Sequence, residues 1–152
     1  MAVADLTKAI KLKPDYADAY FCQGVAHGRK GDTDKAIADF NRAVELNPNF
    51  ADAYSNRAAA YAKKGDYGKA ITDSTEAIRL EPKRALAYFN RGVGYQCKGE
   101  QDGAIADFTE VIRLDPNNAV AYYARGTAHA ARGETAKADA DFARAKELGY
   151  NP

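Results

Sequence analysis

The chain has 152 residues, with 22 Lys and Arg against 21 Asp and Glu, and its formal net charge is +1. This balance argues against nucleic acid or an anionic membrane as the partner, since both attract proteins with a positive excess. No apolar run approaches the roughly 20 residues of a membrane-spanning helix, and residues 1–16 are too amphipathic for a signal peptide.

Proline and glycine each recur at a fixed interval of 34 residues. The prolines are Pro14, Pro48, Pro82 and Pro116, and the glycines are Gly31, Gly65, Gly99 and Gly133. Such a period indicates one supersecondary unit that is copied and stacked. It predicts four full repeats, at residues 17–50, 51–84, 85–118 and 119–152, preceded at residues 1–16 by the second half of a truncated repeat.

The first predicted element is a helix over residues 1–13, which matches the second half of a full repeat. Its apolar residues Val3, Leu6 and Ile10 lack the first helix that should pack on them. We therefore expect these residues to be a self-association site that gives a weak homodimer. We also expect the chain to be the C-terminal portion of a longer protein.

Each full repeat is predicted to contain two antiparallel helices. In the first repeat, Tyr20, Gly24 and His27 form one helical stripe, and Phe40 and Val44 belong to the next. A cation, a glycine and an acid separate the two halves, which suits the end of one helix and the start of another. Proline ends each second helix, because it cannot continue the backbone hydrogen bonds.

The last repeat has Asp139 and Lys146 at positions where interior repeats carry Ile or Val. A terminal repeat needs a polar outer face, because no further repeat covers it. We therefore expect the natural array to end with this repeat.

The third repeat carries the fullest sequence pattern, which is Tyr88-x2-Arg91-Gly92-x2-Tyr95, Ala104-x3-Phe108 and Pro116. This pattern resembles the tetratricopeptide repeat, and the resemblance covers essentially the whole chain. It implies an all-α, right-handed solenoid of antiparallel helix pairs, with about 4.5 repeats in a single domain over residues 1–152. The implied activity is binding of a protein or peptide, without catalysis and without a cofactor or metal.

The resemblance also places the first helix of each repeat on a concave groove that takes extended or helical peptides. The residues expected to line it are Phe21, Val25, Arg29, Ser55, Asn56, Lys63, Leu86, Phe89, Asn90, Val93, Tyr123 and Thr127. Ser55 and Ala59 are expected to leave a hollow between Phe21 and Phe89 for a large partner side chain. Alternatively, Val25, Ala59 and Val93 complete the contacts between adjacent first helices.

Some members of this family hold a C-terminal carboxylate with a clamp of Lys and Asn side chains. Asn56 and Asn90 resemble one asparagine of that clamp. The positions that should carry its lysines are occupied by Phe21, Ser55, Leu86, Phe89 and Val120. This departure argues against a receptor for chaperone tails.

Arginine and aspartate also recur with the period. Arg57, Arg91 and Arg125 lie on first helices, and Asp39, Asp73, Asp107 and Asp141 lie on second helices. We expect structural ion pairs between neighbouring helices; the alternative is a row of anion-binding arginines in the groove.

The residues offer little chemistry for an enzyme. His27 and His129 share one position of the repeat and are expected to fill the core, and no His/Cys/Asp cluster has metal-ligand spacing. Cys22 and Cys97 occupy different positions of the repeat and are expected to be free thiols. Two other functions stay open: a self-association module, and a regulatory C-terminal domain of a larger enzyme.

Overall fold

The computed structural model describes residues 15–151, and within that range it is entirely helical. The helices are α1 (Ala17–Lys30), α2 (Thr33–Leu46), α3 (Ala51–Lys63), α4 (Tyr67–Leu80), α5 (Ala85–Cys97), α6 (Gln101–Leu114), α7 (Ala119–Ala131) and α8 (Thr135–Glu147). Two helices fall in each 34-residue period, so the predicted all-α solenoid is confirmed, with about four repeats. The helix predicted over residues 1–13 lies outside the described residues.

The helices belong to two compact units, an N-terminal unit over residues 1–82 and a C-terminal unit over residues 83–152. In the N-terminal unit, α1 packs on α2 and α3 on α4, and α3 also contacts α2 and α1. The C-terminal unit repeats this arrangement with α5 to α8. The single domain over residues 1–152 stays a prediction.

A glycine in the left-handed backbone region follows the first helix of every repeat. The φ angles are 86° for Gly31, 81° for Gly65, 79° for Gly99 and 76° for Gly133. Side chains with a Cβ rarely adopt this conformation, so glycine ends the helix and reverses the chain at low cost. This confirms the predicted glycine stop and the short connection that makes the two helices antiparallel.

A second set of glycines accommodates the aromatic core. A Cβ on Gly24 would lie 2.7 Å from Cε1 of Phe40, and Gly92 and Gly126 meet Phe108 and Phe142 in the same way. The second repeat has Ala58 and Ser74 at the two corresponding positions. Glycine is therefore required where a phenylalanine ring of the second helix presses on the first helix, and alanine is tolerated where that ring is missing.

The same contrast affects the aromatic pair that joins the two helices of a repeat. Ring centroids are 6.0 Å apart for Phe21 and Phe40, 5.6 Å for Phe89 and Phe108, and 5.4 Å for Tyr123 and Phe142. The second repeat has Ser55 and Ser74 at these positions, and both are fully buried. Because Ser55 has 0% exposure, the prediction that it lines an open hollow of the groove is wrong.

Candidate partner-binding surfaces

A cavity of about 350 Å³ opens in the N-terminal unit between α1, α2 and α3. Val25, Arg29, Asn56 and Lys63, all predicted groove residues, line it. The other lining residues are Gly28, Thr33, Ala36, Phe40, Ala59 and Ala60. The cavity therefore combines small and apolar side chains with two cations and contains no carboxylate.

The two cations of this cavity are exposed and available. Arg29 and Lys63 form no ion pair with any residue between 15 and 151, whereas the adjacent Lys64 pairs with Asp34. Both lie in the last turn of a first helix, where a cation interacts favourably with the helix dipole. Their side chains are free to meet a negative group of a partner.

Asn56 reaches the same cavity from the middle of α3. Its Nδ2 donates a hydrogen bond to the backbone oxygen of Asp52 at 2.8 Å, which fixes the amide against its own helix. An amide nitrogen carries two hydrogens, so the side chain keeps a second donor.

The C-terminal unit has an apolar hollow of about 300 Å³ beside the starts of α5 and α7. Leu86 and Val120 are exposed there, at 49% and 46%, and the half-buried Phe89 contributes its ring. Asn118, which also lines the hollow, accepts a hydrogen bond from the backbone nitrogen of Ala121 at 3.0 Å and caps α7. Predicted groove residues Leu86 and Phe89 therefore lie together.

Other predicted groove residues of this unit are less available to a partner. Val93 packs against the core cluster that contains Phe108, a residue of the second helix. Asn90 is only 8% exposed, which leaves it little surface for a groove. Thr127 is exposed, and its Oγ1 donates to the backbone oxygen of Tyr123 at 3.0 Å.

The half-buried aromatic residues of the predicted groove are held by neighbouring rings. Phe21 packs on Phe50 with 4.9 Å between centroids, and Tyr123 packs on Tyr150 at 4.6 Å. Tyr123 also lines a hollow of about 420 Å³ with Lys146. A continuous concave surface through Phe21, Phe89 and Tyr123 stays a prediction.

The repeated arginines are structural. Arg57, Arg91 and Arg125 each donate from Nε and Nη2 to both carboxylate oxygens of the aspartate in their own repeat, at 2.7 to 2.8 Å. The acceptors are Asp73, Asp107 and Asp141. These hydrogen bonds raise the pKa of Arg91 and Arg125 above the ordinary value. The predicted ion pairs are confirmed, and the partner is in the same repeat.

Two of these arginines, Arg57 and Arg125, also join neighbouring repeats within their units. Nη1 of Arg57 donates to Oδ1 of Asn41 at 2.8 Å, and Nη1 of Arg125 donates to Oγ1 of Thr109 at 3.2 Å. Both acceptors lie on the second helix of the preceding repeat. Because their nitrogens already donate hydrogen bonds within the fold, these arginines are better explained as structural residues than as anion-binding residues.

In the first repeat, a histidine pairs with the repeated aspartate. Nδ1 of His27 lies 2.7 Å from Oδ2 of Asp39, and burial raises the pKa of Asp39 while the hydrogen bond opposes part of that rise. His129 is buried and lies 2.6 Å from Oε2 of Glu134, whose pKa this hydrogen bond lowers. Both histidines thus have carboxylate partners in their own repeat, which the sequence interpretation as core fillers did not foresee.

Within residues 15–151, no group of three or more His, Cys, Asp or Glu side chains is arranged to hold a metal ion. No helix in that range combines the length and hydropathy needed to cross a bilayer. Cys22 and Cys97 are exposed free thiols, as predicted.

Comparison with protein families gives matches along most of the chain. A model described as "TPR repeat" matches residues 1–31, 29–65 and 95–133, and one described as "Tetratricopeptide repeat" matches residues 51–84. None of the curated proteins compared with the chain matches it.

Several solved structures share the fold. "Crystal structure of MamA" is 27% identical with a TM-score of 0.90, over 96% of this chain and 85% of that chain. "MamA 41-end from Desulfovibrio magneticus RS-1" is 20% identical with a TM-score of 0.90, over 96% and 82%, and shows the fold alone. "Arabidopsis OM64 TPR domain" is 28% identical with a TM-score of 0.74, over 75% and 94%.

Proposed function

The chain belongs to the tetratricopeptide repeat family, and we propose that it is a protein-interaction scaffold that binds a segment of a partner protein and catalyses no reaction. The observation that carries the proposal is the apolar hollow of the C-terminal unit. Leu86 and Val120, both on first helices, expose 49% and 46% of their surface beside it. Large apolar side chains exposed together are typical of surfaces that bind another protein.

The hollow suits an anchoring side chain. Phe89 packs on Phe108, with 5.6 Å between ring centroids, and Val111 beneath it is almost fully buried, so the walls are held by the core. A preformed hollow loses little conformational freedom on binding, because its side chains are already ordered. Inserted apolar or aromatic residues carry much of the binding energy at such sites.

The hydrogen bonds of the polar side chains support the part of the proposal that excludes catalysis. The histidines bind carboxylates of their own repeat, and Arg57, Arg91 and Arg125 bind aspartates. Covalent catalysis of acyl transfer commonly uses a nucleophile within hydrogen-bonding distance of a base, and these hydrogen bonds include no such pair.

The proposal is tested by affinity capture with the full chain as bait, compared with the Leu86→Asp variant. Residue 86 lies in the first turn of α5, where aspartate interacts favourably with the helix dipole, so the variant is expected to fold. A specific partner should be captured by the unmodified chain and lost with Leu86→Asp.

The matched control is Ala106→Asp, which introduces the same charge at an exposed position of α6 away from the hollow. It should retain the partner. Equal capture by all three proteins would argue against binding through this surface.

A further inference from the structure

We propose that the cavity of the N-terminal unit binds a partner segment in which a large apolar side chain is flanked by Asp or Glu. This inference rests on the proposed scaffold function and specifies the chemistry of one partner segment. The apolar side chain occupies the cavity between α1, α2 and α3, and the carboxylates meet Arg29 and Lys63 at its edge.

The size and lining of the cavity fit one inserted side chain. Its volume of about 350 Å³ is at the lower end of the range for ligand sites, roughly 300 to 1,000 Å³. Val25 and Ala59 contribute accessible apolar surface from the first helices, and the buried Phe40 and Ala36 of α2 lie beneath it. An apolar group that enters here exchanges water for side-chain carbon, which is favourable.

Arg29 and Lys63 are not needed to complement the helix dipole, because another cation lies at the end of each first helix. Every first helix is followed by a cation at the turn: Lys30, Lys64, Lys98 and Arg132. Lys64, Lys98 and Arg132 form ion pairs there. The position just before the turn cation holds Arg29 and Lys63 in the N-terminal unit but Cys97 and Ala131 in the C-terminal unit, so the fold does not require a cation there.

The positive charge of the cavity has no internal counterpart. Arg29 and Lys63 lack ion-pair partners within residues 15–151, and no lining residue is acidic. Unpaired cations beside an apolar cavity attract a segment of opposite charge and orient it, and a guanidinium group matches a carboxylate with two parallel hydrogen bonds.

The arrangement favours acidic side chains over a chain terminus. The lysine positions of a C-terminal carboxylate clamp hold Phe21, which packs on Phe40 and Phe50, and the fully buried Ser55. The cations lie instead at the far ends of α1 and α3, beside the cavity. An internal segment with carboxylates on both sides of its anchor can reach both cations.

The test uses short synthetic peptides with blocked ends and a fluorescent label, titrated with the full chain and followed by fluorescence anisotropy. The probe contains Asp-Glu-Phe-Glu-Asp. The comparison peptides replace its Phe by Ala, its acids by Lys and Arg, or its acids by phosphoserine. The probe should bind most tightly, and blocked ends exclude a terminal carboxylate.

Charge-reversed variants locate the binding site. Arg29→Glu and Lys63→Glu should each weaken binding of the probe about tenfold, because each replaces attraction by repulsion. Lys30→Glu is the matched control: it changes the net charge equally at an exposed residue that does not line the cavity. It should weaken binding less than either substitution of a lining residue, because Lys30 lies outside the cavity.

Four outcomes would overturn the inference: equal binding of the Ala peptide, tighter binding of the phosphoserine peptide, an equal effect of Lys30→Glu, or no binding of the probe. The scaffold function would survive each of them if capture of a partner still depended on Leu86. Failure of the scaffold function would give a different result, because capture of a partner would then be insensitive to Leu86→Asp.

Discussion

The N-terminal and C-terminal units share one framework but differ on their first helices. Near the helix starts, the N-terminal unit has Asp18 and Asp52 where the C-terminal unit has the exposed Leu86 and Val120. Near the helix ends, the N-terminal unit has the cations Arg29 and Lys63, and the C-terminal unit has Cys97 and Ala131 at the corresponding positions. Most positions that hold the fold are repeated, with the buried Ser55 and Ser74 of the second repeat as an exception, whereas these outward-facing positions vary and can distinguish partner segments.

The cavity itself also depends on this variation. Gly28 lines it in the N-terminal unit, and the corresponding residue of the C-terminal unit is Gln96, whose side chain is much larger. Val25 lines the cavity, whereas the corresponding Val93 packs against the core. One framework therefore presents a charged cavity in one unit and an apolar hollow in the other.

The largest expected effect concerns the aromatic core, where the second repeat differs from the third. Phe108→Ala should lower the free energy of unfolding by about 3 to 5 kcal/mol, because the ring is fully buried. Ser74→Ala, at the corresponding position, should be neutral or slightly stabilising, because the buried Ser74 hydroxyl has no hydrogen-bond partner within residues 15–151. Urea denaturation followed by circular dichroism measures both, and a large loss for Ser74→Ala would contradict this view of the second repeat.

The ion pairs belong to the shared framework, so they should contribute equally to the stability of both units. Arg57→Met and Arg91→Met should each cost about 2 kcal/mol of stability, because a mostly buried aspartate loses its hydrogen-bond donor. The control is Arg113→Met, which breaks an exposed pair with Glu110 and should change stability little. The same denaturation experiment applies, and unequal losses for Arg57 and Arg91 would show that the framework differs between the units.

Substitution of an exposed residue of the apolar hollow should weaken partner binding without lowering stability. Leu86→Ala is expected to weaken partner binding by about 1 to 2 kcal/mol with little change in melting temperature, because half of the side chain is exposed. Phe89→Ala should weaken binding too, but it should also lower the melting temperature, because the ring packs against the core cluster. Calorimetry with the captured partner and thermal melting separate the two effects; a large loss of stability for Leu86→Ala would place that side chain in the core.

Transferring the N-terminal cavity to the C-terminal unit tests the comparison directly. The triple variant Gln96→Gly, Cys97→Arg and Ala131→Lys should increase affinity for the acidic Phe peptide about threefold, since exposed charges contribute modestly. The single variant Gln96→Gly is the control for the space alone. An unchanged affinity in the triple variant would mean that these positions do not determine the difference.

The smallest expected effect is self-association through Val3, Leu6 and Ile10, which lie outside the described residues. Sedimentation equilibrium at high concentration should detect a weak dimer, and replacing Leu6 and Ile10 with Lys should give a helical monomer. A strictly monomeric unmodified chain would refute this prediction.

Helix positions were predictable from the sequence because glycine and proline act locally. Gly31 can adopt the left-handed conformation that ends α1, and Pro48 cannot continue α2, so each boundary follows from one residue. The bidentate pairs were predictable in part, because the period brings Arg57 and Asp73 onto adjacent helices. Which repeat supplies the aspartate depends on packing and could not be read from the period.

The site was harder to predict because it depends on pairs of substitutions. Ser55 was placed in the groove because it shares a repeat position with Phe21 and Phe89, yet it is buried and replaces an aromatic ring whose partner is also replaced, by Ser74. Ala58 in place of glycine was a signal of the same change, since it shows that no ring presses on α3. The N-terminal cavity arises from Gly28 together with Ala36 and Ala59, and its volume depends on how three helices pack.

The two cysteines have a practical consequence for labelling the protein. The chain has two cysteines in total, both exposed, with Cys22 on α1 and Cys97 on α5. Maleimide dyes or spin labels would therefore attach once to each unit of the native sequence. Energy transfer or electron-spin measurements could then give the distance between the two labels with and without an acidic peptide or a whole partner, without any substitution in the protein.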